Sequence, residues 1–360
     1  MSSSSLSSSW SVTRTIWTIF LIITGVAFLI LIYPYIKMTV IMLVISWIIS
    51  IVLNPAVDYL ESIGAKRSLA IFLVMLSILL ILVGIVALML PAVMRAIDAI
   101  SAKMQSDFLK DVTVQMEQIF EKNFNNAGLA RDLINKLVEI GGNLLGNMGS
   151  LLKNASSFVA FLGIIPFVTF FLIKDRRKIY HNMIAQIPNK YFEMTLNVLY
   201  KVGDQVTKYI QGQALDALIV GLLSALGLLI INLVFNHPIP YFFFIGLIAG
   251  IANLIPYLGP VVGAIPAIVM TILNAPPNVG TVILWIVVVF VLVQVIDNNI
   301  VSPLVVSKSV NMHPITVVIA VIIGGNIGGV VGMLVAVPVW GIIKVTVKEV
   351  YWGLQHYKLR

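Results

Sequence analysis

The residue with the most chemistry to offer in this chain is a carboxylate at the end of an apolar run. Gly280 to Ile296 carries no charge, and Asp297 follows it directly, with Gln294, Asn298 and Asn299 alongside. An aspartate near the bilayer centre costs about 2.5–3.5 kcal/mol, and less at the interface, so its presence there needs a partner or a task. Beside three amides it could bind a monovalent cation, pass a proton or hydrogen-bond a small polar solute. The competing reading puts Asp297 in the headgroup layer near Lys308 and uses the amides as contacts between helices. Asp216 follows Gln211-Gly212-Gln213 at the head of another apolar run. It reads first as an interfacial acid stabilised by the helix dipole, and only second, with Gln211, as a transport residue.

Two interruptions of apolar sequence are the other candidates. Pro256, Gly259 and Pro260 break the run Tyr241 to Leu273, just after Asn253, and Gly324, Gly325 and Gly328 break His313 to Ile343 around Asn326. Backbone that leaves the helix at membrane depth exposes N–H and C=O groups that protein, water or a ligand must satisfy, so such breaks point to binding sites. They read as the tips of two hairpins entering from opposite faces. The alternative is a pair of kinked helices whose glycines serve close packing.

Other chemistry lacks its residues. There is no cysteine, so no thiolate site or disulfide exists. His181, His237, His313 and His356 lie far apart, and neither HExxH nor GxSxG occurs. No metal, no cofactor and no enzymatic role are expected.

These groups must be held by elements suited to lipid. Of 360 residues, 59% are hydrophobic and only 11% charged, with mean hydropathy +1.03, where soluble chains carry roughly 25% charged residues. The expectation is an all-α integral membrane protein with about six full transmembrane helices, two re-entrant or short helical hairpins, and an external helical insert after the third span. Residues 1–94 hold the first three spans, including 16–36, 39–57 and 69–94. Residues 95–153 form an extracytoplasmic helical insert with seven basic and seven acidic residues. Its apolar seam, Leu133, Leu137, Ile140, Leu144, Met148 and Leu151, needs cover from this chain or a second copy. Residues 154–174 make the fourth span, 175–212 two cytoplasmic amphipathic helices, 213–350 a transport core containing both hairpins, and 351–360 a tail.

Lys174-Asp175-Arg176-Arg177-Lys178 is the strongest cytoplasmic flag, and with both termini inside, the inner parts hold 15 basic and 6 acidic residues against 8 and 7 outside. The sequence pI near 9.5 is thereby explained by anionic lipid headgroups, with no role for nucleic acid.

The residues also carry a resemblance. Ile251 to Pro260, Gln294 to Pro303, and His313-Pro314 through Gly324-Gly325 to Ala336-Val337-Pro338, in that order, resemble the autoinducer-2 exporter family of permeases. Asn54-Pro55, Leu172 to Arg176 and Gln211-Gly212 are also similar. The resemblance implies a multi-pass secondary transporter of the bacterial or archaeal inner membrane that moves a small polar solute by alternating access. It further implies a homo-oligomer, expected to be a pentamer. Within that family the alternatives are export of autoinducer-2 and sodium–proton antiport, while a pore or an oligomeric membrane scaffold is a third reading.

Overall fold

The computed structural model describes residues 4–104, 128, 132, 136, 139, 155–189, 192–236, 238–274, 276, 278–305 and 312–356. The described secondary structure is helical. In chain order the helices are α1 (Ser4–Ser62), α2 (Arg67–Met104), α3 (Ala155–Lys174), α4 (Arg176–Ala185), α5 (Phe192–Val234), α6 (Phe242–Ala252), α7 (Leu258–Asn274), α8 (Val279–Ile296), α9 (Ser302–Val305) and α10 (Pro314–His356). A π-helical turn, Asp297–Val301, joins α8 to α9. Five stretches are long and apolar enough to cross a membrane: Tyr35–Ser62, Arg67–Leu88, Phe192–Val234, Val279–Val305 and Pro314–Trp352. Shorter apolar helices run over Gly163–Lys174, Phe242–Ala252 and Leu258–Ile272. The chain is an all-α, multi-pass membrane protein. The seam at 133–151 lies outside the described residues.

Several boundaries differ from the sequence reading: α2 runs on to Met104, past the expected end of the third span at 94, and α10 runs to His356, past 350. The runs 16–36 and 39–57 lie on one unbroken helix, because Pro34 and Lys37 do not interrupt α1; apolar helices tolerate proline where neighbours re-satisfy the freed carbonyl. The amphipathic stretch before Gln211 is likewise continuous with the apolar run after it, giving the 43-residue α5. Only α4 stands apart from it, separated by the turn around Pro188.

Packing divides into three apolar clusters. Leu53, Val57, Ala70, Ile71, Val74 and Ile173 join α1, α2 and α3. Leu228, Ile231, Ile245, Ala249, Ala267, Ile272, Ile286 and Phe290 join α5, α6, α7 and α8. Val206, Tyr209 and Ile210 of α5 pack on Val337 of α10, with Ile48 and Ile51 of α1 against them. One polar contact also ties the first group to α5, Gln211 Nε2 donating to the Ile51 carbonyl at 3.1 Å.

Helix α5 is the organising rod. Leu215, Leu218, Leu222, Leu226, Ile230 and Leu233 are each at least half exposed and form one stripe. The opposite stripe, with Gln213, Asp216, Val220, Ser224 and Leu228, is buried. Apolar residues facing outward and polar ones inward reverse the pattern of a soluble helix and suit contact with lipid. The inner stripe meets α6 through small residues. A methyl group on Gly250 would lie 2.7 Å from the Ala217 carbonyl oxygen and 2.9 Å from Gly221 Cα, and one on Gly246 would lie 2.6 Å from Ala225 Cβ. Ala217, Gly221 and Ala225 thus pack on Gly246 and Gly250, the four-residue spacing that lets backbones touch in lipid.

Candidate functional site

Close approach of α5 and α6 delivers Asn253, the residue that ends α6, to the inner stripe of α5. Its Nδ2 donates to Asp216 Oδ2 at 2.8 Å, and its main-chain carbonyl accepts from Gln213 Nε2 at 2.7 Å. The chain then breaks: Tyr257 takes a left-handed conformation, φ 69°, and α7 returns alongside α6. The return is tight because Gly259 sits against Asn253, where an added methyl would lie 2.7 Å from its Cβ and 2.8 Å from its Oδ1. Pro256 and Pro260 flank this turn, Pro260 being buried.

Asp297 reaches the same place from α8. The π turn inserts an extra residue into the helical repeat, and Asp297 is buried while Asn298, Asn299 and Ile300 are exposed. Gln294 Nε2 lies 3.3 Å from Asp297 Oδ2 and 3.0 Å from Asn298 Oδ1. Asp216 and Asp297 approach within hydrogen-bonding reach of each other. Two carboxyl groups therefore meet across α5 and α8, against Asn253 at the α6 break. Exposure is 3% for Asp216, 0% for Asn253 and 5% for Asp297, so water is largely excluded from all three.

The chemistry lies in what is left unsatisfied. Asp216 Oδ1, Asp297 Oδ1 and Asn253 Oδ1 are buried without a donor among the described residues. Three acceptor oxygens, two of them carboxyl, favour an electropositive occupant, either a proton between the acids or a small cation. Among the described residues no group of three or more His, Cys, Asp or Glu is placed to hold a metal ion. The same buried stripe of α5 carries Tyr209 and Ser224, whose hydroxyls are also buried and have no partner among the described residues. They stand about 10 Å and 12 Å along the helix on either side of Asp216.

Several sequence expectations change here. Asp216 is not an interfacial helix-start acid: it sits 24 residues into α5, buried, because the amphipathic helix runs into the apolar one without a break. Asp297 does not sit in a solvated layer with Asn298 and Asn299. Those two amides are exposed, Asn298 Oδ1 sharing the Gln294 Nε2 donor with Asp297 and Asn299 back-bonding to the Val295 carbonyl at 2.7 Å. Gln211 is an interhelical tie and not a neighbour of the carboxyl pair. Asn326 is exposed and makes no hydrogen bond to that pair among the described residues. Gln213, passed over as a site residue, pins the broken end of α6; its spacing three residues before Asp216 was the available signal.

The second interruption is built differently. Helix α10 changes direction at Gly329, φ 63° and ψ −144°. Gly324 and Gly332 then meet face to face, a methyl on Gly332 colliding with the Gly324 carbonyl oxygen. Gly325 packs against Met333, and a methyl on Gly328 would have nothing within 4 Å among the described residues. The turn's one polar side chain is the exposed Asn326, and it brings no carboxylate to the pair.

Comparison with known proteins agrees with this architecture. A family model described as "AI-2E family transporter" matches residues 18–352. YueF of Bacillus subtilis (strain 168), named as a transport protein, is 29% identical over 313 residues, 84% of this chain and 81% of the relative. PerM of Escherichia coli (strain K12), named as a permease, is 23% identical over 316 residues, 85% of each chain. The AI-2 transport protein TqsA of Escherichia coli (strain K12) is 22% identical over 330 residues, 86% of each. With the match running from the first apolar helix to the end of the last, this chain belongs to the AI-2E family of transporters.

Proposed function

We propose that the chain is a secondary transporter in which Asp216, Asp297 and Asn253 bind the coupling ion, a proton or a monovalent cation, while a small polar solute crosses by alternating access. The observation that carries this reading is the grouping of Asp216, Asn253 and Asp297 from three separate elements, each with a buried oxygen that has no donor among the described residues. Occupation would tie α5, the α6 end and α8 together, and release would free them. An ion held there is thus coupled to the packing of the core. Tyr209 and Ser224 extend the polar stripe toward either face, which supports access to the pair from both sides. Two carboxyls and one amide supply fewer oxygens than the six or more that Ca²⁺ or Mg²⁺ takes.

The same site supports a second reading, sodium–proton antiport, because either ion satisfies the three oxygens in turn. The likeness to the AI-2 transport protein TqsA supports autoinducer-2 as the solute to try first. The remaining elements of the reading are an inner-membrane location with both termini cytoplasmic, hairpin tips at 256–260 and 324–329 entering from opposite faces, and a homo-oligomer. The basic run Lys174 to Lys178 supports the orientation.

The test is counterflow of labelled autoinducer-2 in proteoliposomes, with sodium or pH gradients imposed and internal pH followed by a dye. Wild type is expected to show saturable flux that responds to one of the gradients, whereas Asp216→Asn and Asp297→Asn insert normally but lose that response. Wild-type, gradient-dependent flux in both variants would contradict the assignment. Gradient-driven proton movement without solute counterflow would select the antiporter.

A further inference from the structure

At the other end of the α1–α2–α3 group lies a cleft of about 420 Å³ lined by Asp58, Glu61 and Ser62 of α1, Arg67 of α2, and Arg176 and Arg177 of α4. We propose that it binds the phosphate of an anionic phospholipid headgroup from the adjoining leaflet.

Its two carboxylates are already engaged. Asp58 Oδ2 accepts from Asn54 Nδ2 at 2.8 Å, and its Oδ1 lies 3.7 Å from Arg67 Nη1. Glu61 takes Arg67 Nη1 at 2.7 Å and Arg177 Nη1 at 3.4 Å. Arg67 is fixed further by Nη2 donating to the Ile173 carbonyl at 2.9 Å. What stays unmatched is cationic: Arg67 Nε is buried without an acceptor among the described residues, and Arg176 carries no ion pair among them. The Asp175 side chain makes no capping hydrogen bond, so the first N–H groups of α4, beside Arg176 and Arg177, lack one acceptor they would ordinarily have. Three guanidiniums against two carboxylates, with free donors of fixed geometry, match the oxygens of a phosphate.

The surroundings choose the lipid over a soluble phosphate. Lys66, Lys174 and Lys178 are exposed around the cleft, and polybasic surfaces of this kind attract anionic leaflets. Leu69, Phe72 and Phe171, within two turns of the cleft residues, are 52%, 55% and 42% exposed. A headgroup seated in the cleft would have apolar side chains at hand for its acyl chains.

The experiment uses the full chain in neutral detergent, with bound lipid counted by native mass spectrometry during titration with phosphatidylglycerol or phosphatidylcholine. Arg176→Gln/Arg177→Gln is the variant, because both side chains are at the surface and Arg67, which braces the helices, is kept. Wild type is expected to retain one phosphatidylglycerol about 10- to 30-fold more tightly than the variant, the effect of two cationic contacts, and more tightly than phosphatidylcholine. Equal retention by wild type and variant, or equal retention of both lipids, would overturn the proposal. Full displacement by equimolar inorganic phosphate would overturn the lipid as the source.

Discussion

Replacing Asn253 by alanine separates the ion site from the scaffold that holds it. The substitution removes the 2.8 Å hydrogen bond to Asp216 and one of the three donorless oxygens. It keeps the main-chain carbonyl that takes Gln213 at 2.7 Å. Asn253 has helical backbone angles, φ −71° and ψ −6°, so alanine fits without strain. A hydrogen bond to a charged group contributes about 1.5–3 kcal/mol, which at 1.4 kcal/mol per decade is about a 10- to 100-fold change in apparent ion affinity. The assay is the half-saturating concentration of the coupling ion for flux in proteoliposomes, paired with the thermal midpoint of the purified protein in detergent. The expectation is a large shift in the first and a small one in the second. Unchanged ion dependence in a normally inserted variant would refute the reasoning, since Asn253 would then be a helix terminator and nothing more.

Three further substitutions test the packing of the core. Gly250→Val would drive a side chain into the backbone of Ala217 and Gly221; overpacking of this kind costs about 1–3 kcal/mol and should weaken ion dependence by moving Asn253 off Asp216. Gly163→Ala, with nothing within 4 Å among the described residues, is its control and should be silent in both the thermal midpoint and flux. Asn232→Ala deletes two buried hydrogen bonds to the main chain of Ile239, at 2.7 Å and 2.8 Å. Leaving that N–H and C=O unpaired should cost about 2 kcal/mol or more, read as a lowered denaturation midpoint in detergent.

Much of this was legible in the sequence, for physical reasons that differ by element. Long uncharged runs identify membrane helices because lipid offers no partner to a charge, and Pro256 with Gly259 and Pro260 marked the break after α6 for the same reason that they terminate it. Asp297 stood out by its cost alone. Its partner did not: Asp216 looks interfacial when the helix is taken to begin at the edge of the apolar run, whereas α5 begins at Phe192. The π turn that separates Asp297 from Asn298 and Asn299 has no pattern of its own, so three adjacent polar residues read as one cluster. The fit of Gly246 and Gly250 to Ala217, Gly221 and Ala225 was written in four-residue spacings, but which two helices share them is a property of the packing.

The central claim is that Asp216 and Asp297 work as one site, and a double-mutant cycle tests it most directly. Gradient-dependent flux would be measured for wild type, Asp216→Asn, Asp297→Asn and the double variant, at matched levels of inserted protein. The account predicts that the double variant is scarcely worse than either single one, because removing one carboxyl already dismantles the shared site. Losses that add independently would contradict it and place the two carboxyls in separate roles.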